Sequence, residues 1–473
     1  MGGVDPEIYE YAQDGDSEAQ FLLAHHYYPL SGNKTKYGFA ITWYEKSAKS
    51  GHSEAQYYLA YMYEHGIGCK KNTAQSLQWY YQAALNDHLE SQFRLALLYR
   101  NIKHNNQNAL WWFSRLLKKK YKTTECQYNI ALIYDTTYYD KGSYVAKDDK
   151  TALELYEKAA NKGHTQSQYL LGIMYCEGRG TQKNLLSAFQ WFSKASEKEH
   201  PQALYEKGSL YLSGRIFEQN YKIAFSCLKK SAEKEYIKAQ AKLGWMYELG
   251  LGVDQNLNAA FSWYMKAAEQ GHATSQYNVG KLYENGKSIE QNFSLAHHWY
   301  LKAAYQGHKN AQFHLGLLYR DGLGVERNDA LAFEWIKTAA RNDHTQAQFY
   351  TGWMYHRGKG TLKSSEKAYN WYSIAASNNS INAQLNLCSM FAKGDGVIQN
   401  MEEAKKWYES AILKRNEELE YTMDIPFNFD QNQSTIYKST SDLTLNETSA
   451  NVNDTHFSEE GKLFYFTLTQ TEN

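Results

Sequence analysis

The sequence predicts an all-α protein, a right-handed α-α superhelical solenoid of about eleven 36-residue helix-pair repeats. Three observations predict it. An Ala-Gln or Ser-Gln pair recurs at near-constant spacing through most of the 473 residues. Each copy holds two stretches of helical apolar periodicity separated by a glycine loop. Proline numbers only 4, against 41 tyrosines and 12 tryptophans, a composition suited to many small helix-to-helix contacts instead of one large core.

Aligned on the glutamine, the copies stand at Gln20, Gln56, Gln92, Gln127, Gln168, Leu204 (a substitution), Gln240, Gln276, Gln312, Gln348 and Gln384. Successive differences are 36, 36, 35, 41 and then 36 six times. The central copy, AQAKLGWMYELGLGVDQNLNAAFSWYMKAAEQGH over 239–272, shows the plan. Ala239, Leu243, Gly244 and Tyr247 share one helical face, Gly250 and Gly252 interrupt, and Ala260, Trp263, Ala267 and Ala268 begin a second face. Neither short helix buries its apolar side alone, so each unit requires neighbours.

Residues 1–14 form an N-terminal capping helix with Asp5 as N-cap and Pro6 at the first helical position. Residues 15–421 form the solenoid. Within each first helix, the residue four past the anchor is small, alanine up to Ala131 and glycine from Gly172 to Gly352. A helical glycine costs about 1 kcal/mol against alanine, so the close approach of another helix is expected there. The residue three further on is aromatic, from Tyr27 to Phe391. The glycine pairs of the loops, as at Gly250 and Gly322, follow a helix and therefore read as helix C-caps and turns, not as a dinucleotide fingerprint.

The second helix carries a bulky residue at Trp43, Trp79, Trp112, Leu155, Trp191, Cys227, Trp263, Trp299, Trp335, Trp371 and Trp407, with alanine three residues earlier in every copy except Ser76. A turn such as Gly51-His52 or Gly271-His272 closes the unit. The register falters at about 100–150: the loop before Trp112 is short, and residues 135–150 make the next one long, a candidate hinge. Residues 422–473 carry 2 basic and 8 acidic side chains, a balance of −6 that leaves the rest of the chain at +6. This acidic tail is expected to be disordered. Its apolar run at 463–470 is a candidate docking peptide.

Composition narrows the function classes. Lys+Arg and Asp+Glu both total 51, which gives no general attraction to nucleic acid or to an anionic membrane. No run of about 18 apolar residues is present for membrane insertion, and the N-terminus lacks an export signal. Five cysteines without a C-x-x-C pair point to a reducing compartment, hence a cytoplasmic protein, with delivery by a non-classical route left open. The Gly-His histidines lie about one repeat apart and do not converge on a metal. The GKS at 286–288 has neither the spacing nor the preceding strand of a phosphate loop. No nucleophile, base and orienting acid recur together, so the reading is a non-enzyme with no cofactor.

The variable positions remain. At 100° per residue, the first-helix positions two and five past the anchor fall opposite the framework face and are expected to line the concave surface. They supply the candidate protein-binding residues: Tyr58, Tyr61, Arg94, Lys242, Trp245, Asn278, Lys281, His314, Leu317, Tyr350 and Trp353. Large apolar groups opposite a core point to a protein or peptide partner, with Trp245 and Trp353 as anchors. Positions one and eight past the anchor are expected to flank this surface. The sequence sets no oligomeric state.

The pattern AQxxLGxMYxxGxGVxxNxxxAxxWYxKAAxxGH resembles the Sel-1-like repeat, a relative of the tetratricopeptide repeat, over approximately residues 5–415. The resemblance implies a scaffold, adaptor or regulator, including host-interaction factors. One branch of that family, with a cysteine pair in each repeat, implies as an alternative a hydrolase of the β-lactamase-like type. This chain has no such paired cysteines.

Overall fold

The computed structural model describes residues 5–28, 34–135, 145–287 and 289–418. The acidic segment 422–473 and most of the long loop after residue 135 lie outside the described residues. Every regular element among the described residues is an α-helix. The chain divides into two compact units, 1–255 and 256–473.

The first unit contains α1 (Pro6–Gln13), α2 (Ser17–Tyr27), α3 (Lys34–Lys49), α4 (Ser53–His65), α5 (Thr73–Leu85), α6 (Leu89–Asn101), α7 (Asn106–Lys118), α8 (Thr123–Asp135), α9 (Asp149–Asn161), α10 (Thr165–Glu177), α11 (Leu185–Glu197), α12 (Pro201–Ser213), α13 (Tyr221–Glu233) and α14 (Ile237–Leu249). The second contains α15 (Leu257–Glu269), α16 (Ala273–Asn285), α17 (Phe293–Tyr305), α18 (Lys309–Asp321), α19 (Asp329–Arg341), α20 (Thr345–Arg357), α21 (Ser365–Ser377), α22 (Ile381–Lys393) and α23 (Met401–Glu418). Within each unit, every helix packs on the helix before it and the helix after it in sequence. The all-α array of helix-pair repeats is thus the observed fold.

Local chemistry explains why each helix starts and stops where it does. In the pair α4–α5, the imidazole of His52 accepts from the Ala55 amide at 3.2 Å and so caps α4. Gly66 ends that helix in the left-handed region at φ 71°, where a side chain would be strained. Asn72 then caps α5 through Ala74 and Gln75, both at 3.1 Å. Its own amide donates to the Tyr63 carbonyl at 2.8 Å, which closes the loop. The same closure joins Asn184 to Tyr175, Asn292 to Tyr283 and Asn328 to Tyr319. Asp5 caps α1, with Pro6 in its first turn.

The anchor glutamine has a physical role. Buried Gln56 donates from Nε2 to the Ala48 carbonyl at the end of the preceding second helix, 3.0 Å. Gln92 with Ala84, Gln276 with Ala268 and Gln312 with Ala304 repeat this bond. Several also accept from the next repeat, as Gln312 does from Asn342 at 2.9 Å. The glutamine row therefore staples three successive elements, adding a second donor to carbonyls that also accept from a turn amide, as Ala48 does from Gly51.

The helical glycines face a neighbouring side chain. A Cβ at Gly172 would lie 2.5 Å from Phe192, one at Gly280 2.7 Å from Tyr300, and one at Gly352 2.7 Å from Tyr372. The fully buried second-helix residue is thus the one after the tryptophan position: Tyr44, Tyr80, Tyr156, Phe192, Tyr300 and Tyr372. The tryptophans lie closer to the surface, and Trp43, Trp191, Trp263 and Trp299 each carry the lysine three residues on over the ring at 4.0–4.5 Å. No described helix is long and apolar enough to cross a membrane.

Candidate protein-binding face

The first helices present the candidate residues in rows. Helix α4 carries Tyr58 and Tyr61, α6 carries Arg94, and α14 carries Lys242 and Trp245. In the second unit, α16 carries Asn278 and Lys281, α18 carries His314 and Leu317, and α20 carries Tyr350 and Trp353. All eleven are half-buried. Leu317, Tyr350 and Trp353 pack together against one apolar cluster, and Tyr61 packs against another.

In the first unit, the Arg94 guanidinium lies 5.8 Å from the Tyr61 ring centre, and Tyr57 bridges Tyr58 and Tyr61 at 5.2 and 6.4 Å. Arg94 also meets Glu90 at 3.4 Å. Glu90 accepts from the Tyr121 hydroxyl and the Lys122 ammonium, both at 2.6 Å. Burial pushes the Glu90 carboxyl up, but those two hydrogen bonds together with the charges of Lys122 and Arg94 outweigh it and hold the group below its ordinary range. Within α14 the Lys242 ammonium stands 4.5 Å above the Trp245 ring, so these two form one amphipathic element.

In the second unit, His314 Nδ1 lies 3.1 Å from Glu284, which also accepts from the Tyr300 hydroxyl. The Tyr350 ring lies tilted against Phe313 with centroids 5.5 Å apart, and Arg320 stands 5.4 Å above it. Arg320 is paired with Asp321 at 2.7 Å. Asn278 and Lys281 lie half-buried on α16. The structure thus gathers Tyr58, Tyr61 and Arg94, pairs Lys242 with Trp245, and seats Tyr350 and Trp353 on one cluster, while His314 is tied to an acid.

Two features escaped the sequence reading. Seven histidines, His52, His88, His164, His200, His272, His308 and His344, each cap a first helix by accepting an amide proton at Nδ1. The aromatic residue one past the anchor then covers the imidazole: Phe21 lies 4.7 Å from His52, Tyr169 5.0 Å from His200, Tyr277 4.8 Å from His308 and Phe313 4.6 Å from His344. The aromatic of one repeat and the histidine of the next recur 31 residues apart, for example Phe21 with His52, a period that a search for repeat-to-repeat pairs would have found. In chemical terms, no group of three His, Cys, Asp or Glu among the described residues is placed to hold a metal. Burial pushes the Cys126 thiol up to about 12 and the Cys176 thiol up to about 11, the reverse of what a nucleophile needs.

Comparison with known protein families matches the Sel1 repeat eleven times, at residues 17–52, 53–88, 89–120, 124–164, 165–200, 201–236, 237–272, 273–308, 309–344, 345–380 and 381–416. Among solved structures, the chain is similar to a protective antigen present in uropathogenic Escherichia coli strains displaying an SLR fold. The two are 29% identical over 89% of this chain and 91% of that one, with a TM-score of 0.67. It is also similar to a Sel1 repeat protein from Oxalobacter formigenes, at 24% identity over 82% and 91% of the two chains and a TM-score of 0.45. A search of curated proteins returned no match. With eleven matched copies, built on the recurring helix pair described above, the chain belongs to the Sel1 repeat family.

Proposed function

We propose that the chain is a non-catalytic scaffold or adaptor that holds a protein or peptide partner on the varied face of its first helices. One observation carries this reading. The first helices carry half-buried tyrosine, tryptophan and arginine side chains at positions that vary from copy to copy, notably Tyr58, Tyr61, Arg94 and Trp245 in the first unit and Tyr350 and Trp353 in the second. These residue types dominate binding energy at protein interfaces. A helical array is preformed, so little ordering entropy is lost when a partner docks. Family membership supports the same reading, since Sel1 repeats are helical interaction modules.

The partner is a protein or peptide rather than a nucleic acid. The chain is formally neutral, and the arginines of this face are already engaged, Arg94 with Glu90 and Arg320 with Asp321. Phosphate recognition needs cations in excess. The five cysteines are free, which fits a reducing compartment such as the cytoplasm. The β-lactamase-like alternative draws no support from thiols held protonated by burial.

The test is affinity capture with the intact chain and with the Trp245→Ala, Trp353→Ala double variant, followed by mass spectrometry. Loss of specific partners by a variant with unchanged helical content supports the reading. An unchanged partner set with the fold intact overturns it.

A further inference from the structure

The first two repeats hold a concentration of rings that the framework does not require. Tyr44 is fully buried and forms a floor. Half-buried Tyr58 lies parallel to it, with centroids 5.5 Å apart and planes 8° apart. Tyr28 stands edge-on to Tyr58 at 5.5 Å, His25 edge-on at 5.2 Å, and Phe21 is tilted at 6.1 Å. The His25 Nδ1 and Tyr44 hydroxyl lie 3.0 Å apart, which fixes the rear of the cluster. Tyr28, His25 and Phe21 are also half-buried, so the group presents an edge to solvent.

The charge around this cluster is the second observation. At several places in the chain a lysine or arginine lies over an aromatic ring: Lys46 over Trp43, Lys194 over Trp191, Lys242 over Trp245 and Arg320 over Tyr350. Among the described residues, no lysine or arginine lies over Phe21, Tyr28, Tyr44 or Tyr58; Lys46 lies over Trp43 and Arg94 over Tyr61 instead. The rim is acidic instead. Glu18 and Glu54 are exposed carboxylates, held at His52 and His88 by contacts of 2.9 and 3.2 Å. The setting opposes added negative charge: burial first, then the neighbouring Tyr61, Tyr58, Tyr37 and Tyr57, pushes the Tyr28 phenol up to about 12. Burial first and then Glu54 raise Tyr58. Burial resists a charge of either sign, so what favours a cation here is the electron-rich ring faces together with the Glu54 carboxylate, which acts on Tyr58.

We propose that this cluster is a binding site for a cationic side chain, a lysine or arginine presented by a basic peptide segment, with Tyr58 as its central ring and Glu54 as its electrostatic guide. The ring faces attract the cation through their quadrupoles, and the rim carboxylates steer it in. The proposal rests on the scaffold reading only for the origin of the cation, because it assigns one patch of that face a partner chemistry.

The test is a ligand-observed NMR titration of the full chain with acetylated, amidated Gly-Gly-X-Gly-Gly peptides, where X is lysine, trimethyl-lysine, arginine or the uncharged norleucine. The cationic peptides are expected to bind at least tenfold more tightly than the norleucine peptide. Tyr58→Leu is expected to weaken them at least tenfold, and Tyr58→Phe, which keeps the ring, to change them by less than threefold. Glu54→Gln, at an exposed site where folding is safe, is expected to weaken binding two- to fivefold and to reduce its salt dependence. Equal binding of the norleucine peptide, no binding of any peptide, or an unaltered affinity in both folded Tyr58→Leu and Glu54→Gln overturns the proposal. Such a result leaves the double-tryptophan capture experiment to decide the scaffold reading separately.

Discussion

The second glycine of the loop offers a direct measure of what repeat-to-repeat packing contributes. Gly396 has φ 73°, and a Cβ built there would lie 2.6 Å from both the carbonyl carbon and the Cβ of Ser365, at the start of α21 in the preceding repeat. Gly307 has φ 83° with nothing within 4 Å of the same position. Alanine in the left-handed region costs about 1–2 kcal/mol, partly offset by about 0.4–1 kcal/mol from the stiffer unfolded chain. Gly307→Ala is therefore expected to lose about 0–1.6 kcal/mol. Gly396→Ala carries the same backbone term and must also push Ser365 away by most of an ångström, an overpacking cost of about 1–3 kcal/mol. Its total is about 1–5 kcal/mol. Urea unfolding followed by circular dichroism gives the global loss, and hydrogen exchange over α21, α22 and α23 shows whether the last repeat opens before the others, as a nearest-neighbour array requires. If Gly396→Ala proves no more destabilising than Gly307→Ala, the loop does not join the repeats in the way argued.

Two further outcomes follow from the same framework. Burial first, then His314 and Lys309, pushes the His344 cap down to about 4, and burial also lowers His164, His200 and His308. The folded chain binds fewer protons than the unfolded chain below the ordinary histidine value of about 6.5, so this stability is present above that pH and is lost as pH falls towards 4. Tm is expected to drop across that window, and His344→Asn, which keeps a capping acceptor without the titration, should flatten the dependence; a Tm constant from pH 7 to 5 would contradict the cap assignment. Cys126 is fully buried with its thiol held protonated, so a disulfide exchange reagent at mildly alkaline pH should label it only after urea is added, and prompt labelling of the folded chain would refute its placement.

The parts of the fold that could be read from sequence are those where one residue type answers one local demand. Gly66 ends α4 because only the left-handed region closes that turn, and Asn72 starts α5 because an amide side chain satisfies two backbone donors. The tryptophan row was harder to place. Trp43 and Tyr44 are adjacent aromatic residues only 100° apart on the helix, so either could have been the buried one. The choice rests on the small residue at Ala24 or its glycine equivalents, which makes room for the ring opposite it. The histidines were opaque for a related reason: an imidazole capping an amide and an imidazole awaiting a ligand look alike until the next repeat brings an aromatic ring over it.

The candidate face shows where periodicity stops being informative. A position that changes from copy to copy is free of the demand that every repeat must meet, but it is not thereby free of contacts. Lys242 differs from its counterparts in the other repeats, and Trp245 from all of them but Trp353, and yet the two hold each other; Arg320 and Tyr350 hold each other across two repeats. Such pairs keep aromatic faces covered, so an incoming cation there exchanges one cation–π contact for another and its net gain is small, whereas an apolar partner group meets no such competition. Tyr58 and Tyr28 have no such cover among the described residues, and the Glu54 carboxylate acts on Tyr58. Within the first unit, the gain from an incoming cation is therefore largest at the first two repeats, and the affinity of a basic segment should fall more on loss of Tyr58 than on loss of Trp245.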